Sequence, residues 1–264
     1  MRGMRAAVVG HVEWVDFARV PRWPAAGTIV HATDVWSDPA GGGAVVARQI
    51  ALLAGRCELF TAFGDDETGR AAVRRLAQLG IDVHVQHPPR AATRRAWTHI
   101  DDAGERTITV LGDKLLPAGP LPLDGYDLVF FVSGDVPALQ SARRARFLAA
   151  TLREQPTLRA AGVPLDLVVG SANDPSERYD GSLEVRLVVT TDGANAGLAN
   201  GEPFPATDPP EEVVDTYGAG DSFGAALAFA LARGDELPRA LELAARAGAA
   251  VLGGRGPYSS QLAL

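Results

Sequence analysis

The chain has 264 residues, of which 47% are hydrophobic and 22% charged, and its formal net charge is −7. That composition excludes an intrinsically disordered chain, and the acidic balance, with no Lys/Arg block interleaved with aromatics, excludes a general attraction to nucleic acid. No apolar run approaches the roughly 18 residues of a membrane span, and the single cysteine, Cys57, rules out an intrachain disulfide or a Cys-based zinc site, so a cytoplasmic protein with no membrane partner is expected.

In chain order, "RAAVVG" (Arg5 to Gly10) reads as a buried first strand closed by glycine. From Trp14 to Pro39 the chain is rich in Pro, Trp and β-branched residues without helical period, so "GTIVHATDVW" reads as an exposed strand or flap. "PAGGGAVVARQIALLAG" passes from a glycine cluster into a helix that Gly55 closes, and "CELFTAF" is a strand. "GDDETGRAAVRRLAQLG" places acids at its start and apolar residues at three-to-four spacing, which predicts an amphipathic helix ending at Gly80. "TRRAWTHIDDAGERTITVL" alternates and turns at Ala103-Gly104, as a β-hairpin does.

"YDLVFFVSG" predicts a buried strand, "SARRARFLAATLRE" a helix, and "VPLDLVVGS" and "VRLVVTTDG" two further strands. "NGEPFPATDPPEE" reads as a polar, Pro-rich connection. After Gly218, Phe223, Ala226, Leu227, Ala230 and Leu231 recur at helical spacing, and "LPRALELAARAGAAVLGG" supplies a last helix. Strands alternating with helices predict an α/β fold with a mainly parallel sheet covered on both faces and hairpin pieces at its edge.

The segment "GAGD" (Gly218 to Asp221) stands at the mouth of the penultimate helix, where the first backbone N–H groups have no acceptor within the helix. Such a helix start attracts a phosphate, and a carboxylate beside it makes sense as a base that takes a proton from an attacking hydroxyl. Taken by itself, the word fits a cap and a turn equally well. Two other phosphate devices are excluded. The only lysine, Lys114, follows Asp113, so there is no Walker A motif, and "GAGDSFG" is mis-spaced and too late for a dinucleotide fingerprint.

The longer word "DTYGAGDSF" (Asp215 to Phe223) resembles the late signature of the PfkB carbohydrate kinases, members of the ribokinase-like superfamily. The resemblance runs through "PAGGGAVVARQIALLAG", "FTAFGDDETGRAAVRRLAQLGIDV", "GERTI" and "VVTTDGANAG", essentially the whole chain. It implies one ribokinase-like domain over 1–264, a three-layer sandwich with a β lid at about 12–38 and 92–112. It also implies transfer of the ATP γ-phosphoryl group to a hydroxymethyl group of a small sugar, polyol or nucleoside. In that reading Asp221 is the general base, and Gly218, Ala219 and Gly220 present amides to the transferring phosphate. Asp16, Gly41, Gly42, Gly43 and Arg106 face the substrate, and Thr191, Gly193, Gly197, Ser171 and Asn173 line the nucleotide site. Mg²⁺ is implied as cofactor, with Asp174, Glu177 and Asp215 as its candidate ligands, a monovalent cation as a further candidate, and a homodimer formed through the lid.

The chain also departs from the family's pattern. Val46 stands where the family often has Asn, and the Asn-x-x-Glu of the metal side has no match in spacing near Ser171 to Glu177. Those departures leave two alternatives open: a non-catalytic sugar or nucleotide sensor on a kinase fold, and a vitamin kinase of the same superfamily. Trp14, Trp23, Trp36 and Trp97 fall in the flaps, where a dimer interface or a stacked ligand would use them.

Overall fold

The computed structural model describes residues 3–264. Among these residues thirteen strands form two sheets. Nine make the large sheet: β1 (Ala6–Val9), β4 (Cys57–Ala62), β5 (Ile81–Gln86), β8 (Leu128–Phe131), β9 (Phe147–Thr151), β10 (Leu165–Ser171), β11 (Val185–Asp192), β12 (Asn195–Ala199) and β13 (Glu202–Phe204). The other four, β2 (Glu13–Arg19), β3 (Asp34–Ala40), β6 (Arg95–Ile100) and β7 (Arg106–Leu111), make the small one.

The large sheet runs β13-β12-β11-β10-β9-β8-β1-β4-β5, and every pairing from β5 to β11 is parallel. β1 and β8 are apolar throughout, AAVV and LVFF, and every residue in them is buried, because a parallel sheet is covered on both faces. Helices α1 (Gly42–Ala54), α2 (Glu67–Gln78), α5 (Ala219–Arg233) and α6 (Leu237–Leu252) supply the core on one face, with Ile50, Leu76, Leu227 and Val251 fully buried. The shorter α3 (Val136–Ala142) and α4 (Gln155–Ala161) cover the other through Leu139 and Leu158. The result is the ribokinase-like three-layer α/β fold, and β12 and β13 form an antiparallel hairpin at its edge.

Two elements differ from expectation. "SARRARFLAATLRE" is not one helix: α3 stops at Ala142, and Phe147–Thr151 is a strand between β8 and β10. Its alanines favour helix by propensity, but FLAA is the apolar run that a doubly covered parallel strand needs, and tertiary pairing decides. Within the Pro-rich connection, Glu202–Phe204 pairs with β12.

β1 is where the strand order reverses. The chain runs from it to β4 on one side and later returns to β8 on the other. Crevices outside the carboxyl ends of strands at such a reversal are where α/β sheets bind ligands. The small sheet, ordered β3-β2-β6-β7, lies against this region: Val15, Phe17, Ala40, Ala96 and Ile100 bury one of its faces against Val45 and Tyr217.

Candidate active site

Helix α5 provides a rigid mount. Ten of its fifteen residues are buried, and Gly218 caps it with φ +86°, a left-handed conformation that glycine adopts without steric cost. A side chain there would also meet Val45, with Cβ 2.9 Å from Val45 Cγ1. The N–H groups that follow have no intrahelical acceptor, and no atom lies within 4 Å of the outward side of Gly220, so the positive end of the helix is open to an anion. Asp221 sits in the first turn. Burial pushes its carboxyl up to about 6, with Arg106 and Arg153 opposing the shift and Glu177 adding to it. Asp221 is therefore mostly ionised at neutral pH and close in proton affinity to a group that gains and loses a proton there.

The glycine cluster approaches this carboxylate directly. A Cβ on Gly42 would lie 3.1 Å from Asp221 Oδ1 and 2.8 Å from Val132 Cγ1, so only glycine leaves the carboxylate its place. Gly41 is left-handed at φ +92°, beside the edge of the His11 ring and Glu13 Cγ. Its N–H donates to the Tyr217 hydroxyl at 3.1 Å, which ties the glycine cluster to the phosphate loop. Gly43 does not face a ligand: its N–H donates to His11 O at 3.2 Å, and the backbone of Gly10 fills the space beside it.

Asp16 is not with these groups. It lies on the face of the small sheet turned away from the body, where Oδ1 accepts from Ser37 Oγ and Oδ2 from Arg95, both at 2.6 Å. Its neighbours Val15 and Phe17 point inward. Alternation along β2 explains the correction, since an inward Val15 and Phe17 put Asp16 outward and Glu13 inward. Glu13 is buried beside Gly41, 3.1 Å from Arg94 Nε, and burial raises its carboxyl against the pull of Arg94 and Lys114. Arg106 reaches inward and donates to Thr216 O at 2.8 Å and to Thr216 Oγ1 at 3.1 Å, with its guanidinium 5.5 Å from the centre of the Tyr217 ring.

The residues expected on the nucleotide side divide. Ser171 and Thr191 are register partners at the carboxyl ends of β10 and β11, and Asn173 Nδ2 lies 3.8 Å from the Cβ position of Gly193 in the next turn. Gly197 is elsewhere: it is buried on β12 beneath the Phe204 ring, and any side chain there would collide with that ring. Its glycine serves packing.

The carboxylates expected to hold Mg²⁺ do not fit an inner-sphere site. Asp174 Oδ2 and Glu177 Oε1 both bind Arg153, Asp174 Oδ1 caps Ser176, and Glu177 Oε2 accepts from Ser171 N. Asp215 is fully buried, with its two oxygens taken by the N–H groups of Tyr217 at 2.8 Å and Gly256 at 3.0 Å. It braces the phosphate loop. No group of three or more His, Cys, Asp or Glu side chains comes together as a metal cage among the described residues. Arg153 brings positive charge here, within electrostatic reach of Asp221.

The model of the pfkB family carbohydrate kinases matches residues 4–154 and 158–263. The chain belongs to the pfkB family of carbohydrate kinases. It is a sugar or nucleoside kinase of that family. A protein of Halopiger xanaduensis named ATP-dependent ribose-1-phosphate kinase is 29% identical over 98% of this chain and 96% of its own. The bifunctional protein HldE of Shewanella amazonensis is 30% identical over 82% of this chain, which spans only 52% of that protein. Among solved structures, a ribokinase from Thermotoga maritima shares the pfkB fold with a TM-score of 0.78 at 20% identity, covering 98% of this chain and 96% of its own.

Five residues beside this cluster are given no role by the motifs: His11, Glu13, Arg94, Arg153 and Tyr217. Strict alternation outward from the apolar Val15 and Phe17 is the signal that would have found Glu13. Arg153 carries no such signal, because β9 was itself misread as helix.

Proposed function

We propose that this kinase transfers the γ-phosphoryl group of ATP to a hydroxymethyl group of a small sugar, polyol or nucleoside, with Asp221 as general base. The observation that carries this reading is the approach of Asp221 Oδ1 to the Gly42 backbone at the open end of α5. An acceptor lying on Gly41 and Gly42 presents its hydroxyl to Asp221. As the oxygen attacks phosphorus in line, the carboxylate takes the hydroxyl proton and ADP departs with the bonding electrons. The amides of Ala219 and Gly220, at the positive helix end, face the charge on the transferring group, and Arg106 and Arg153 add to it. The small sheet acts as a lid that keeps water out, held to the phosphate loop by Arg106 and by Arg19, which donates to Val214 O at 2.7 Å. Ser171, Asn173, Thr191 and Gly193 border the nucleotide. Among the described residues no three ligating side chains gather into a metal cage, so a Mg²⁺ ion would be held by nucleotide phosphates and water.

The outward face of the lid supports a homodimer. Trp97 and Val35 are 51% and 67% exposed there, around a cavity of about 530 Å³ that also meets Asp16, Ser37 and His99. Trp23 stands against His99, with ring centres 5.2 Å apart. Trp36 also borders this cavity while its ring stacks on Phe17 at 4.9 Å. Release of ADP in a coupled assay, stimulated by at least one member of a sugar and nucleoside panel, tests the function; ADP release that no acceptor stimulates contradicts it.

A further inference from the structure

The pair Glu13 and Arg94 is the feature that phosphoryl transfer leaves unexplained. Both side chains are drawn into the inner end of the lid, only 8% and 16% exposed, and Glu13 Oε2 lies 3.1 Å from Arg94 Nε. Yet neither atom makes a hydrogen bond with anything in the protein. A buried ion pair is stable when each partner is also well hydrogen-bonded, and one that is not is costly. The pair stands beside the glycine cluster, since Glu13 Cγ and the His11 ring lie against the position a Gly41 side chain would take.

His11 beside it is held toward the neutral imidazole by burial first and then by the positive charges of Lys114, Arg94 and Arg153. Lys114, the only lysine, also pulls the Glu13 carboxyl down, and its own partner is Glu154, 2.6 Å away just before α4. A neutral sugar would meet Arg94 already committed to Glu13. A sugar bearing an acid relieves both: the anion takes the guanidinium in a charge-assisted, two-pronged bond, and the released carboxylate accepts the sugar hydroxyls.

We propose that the acceptor carries an acidic group, phosphate or carboxylate, which Arg94 holds while Glu13 turns to its hydroxyls. This rests on the sugar-kinase reading only in placing the acceptor at Gly41 and Gly42.

The test is calorimetric binding without nucleotide, using pairs that differ in the acid: D-ribose against D-ribose 1-phosphate, and D-glucitol against D-gluconate. The acidic member of at least one pair is expected to bind more tightly by about tenfold or more, and the pair that shows it distinguishes phosphate from carboxylate. In Arg94→Gln that preference disappears, and Arg94→Lys, which keeps the charge without the fork, falls between. Equal or tighter binding of both neutral members, no binding of either acid, or a preference unchanged in Arg94→Gln and Arg94→Lys each overturns the proposal. Because no turnover is read, absence of ADP release with every acceptor would sink the kinase reading and leave this result standing.

Discussion

Glu13 and Asp16 stand three residues apart on one strand and face opposite sides of the small sheet. Asp16 is tied to Ser37 and Arg95 on the outward side, and those hydrogen bonds outweigh the effect of burial to hold its carboxyl below the usual range. Glu13 faces the glycine cluster. Asp16→Asn is therefore expected to leave the acceptor KM within about twofold, whereas Glu13→Gln raises it by about tenfold or more, the scale of a lost charged hydrogen bond. Steady-state kinetics on the two variants checks this, and a KM effect confined to Asp16→Asn would contradict the assignment of faces.

Gly42→Ala probes the contact between the sugar side and the base. The new methyl would sit 3.1 Å from Asp221 Oδ1 and 2.8 Å from Val132 Cγ1, so carboxylate or valine must move. A displacement of the base by a fraction of an ångström lowers kcat by about a hundredfold while the fold persists, at a stability cost of about 1 to 3 kcal/mol for overpacking. Turnover and a urea melt on the same preparation separate the two effects. Unchanged kcat in a folded variant would show that the base is not held against Gly42.

The raised Asp221 carboxyl gives a pH signature with a definite sign. As a base it must be ionised, so kcat/KM climbs through about pH 6 and levels above it. Stability moves the other way. A carboxyl whose folded value lies above its unfolded one favours folding when protonated, and that contribution is lost as pH rises from about 4 to about 6. Asp221→Asn, uncharged at every pH, is expected to melt higher than the unaltered protein at about pH 8 and to lose that advantage toward about pH 4. Thermal melts across this range check it; a gap that widens toward acid would mean the carboxyl is stabilised as the anion.

Much of this was legible in the sequence because it depends on local pattern. β1 and β8 announce themselves as short apolar runs, α2 by its spacing, and α5 by the glycines at its start. The site at Gly218 to Asp221 is continuous in sequence, so its geometry follows from one helix end. What was not legible depends on sidedness and on distant pairing. The resemblance sets Asp16 against the substrate, while strand alternation from the inward Val15 and Phe17 turns it outward. Gly197 looks like a nucleotide-loop glycine in the sequence, and its reason is the Phe204 ring lying over it. The acids Asp174 and Glu177 read as metal ligands until Arg153, more than twenty residues earlier, is seen to occupy them.

The central claim is that Asp221 removes the acceptor proton. Single-turnover phosphoryl transfer by Asp221→Asn, with ATP and acceptor both bound, measures that step directly. The account predicts a rate lower by about 10² to 10⁴ with acceptor affinity little changed, since the amide keeps the shape and loses the base. Transfer within about threefold of the unaltered rate would contradict it.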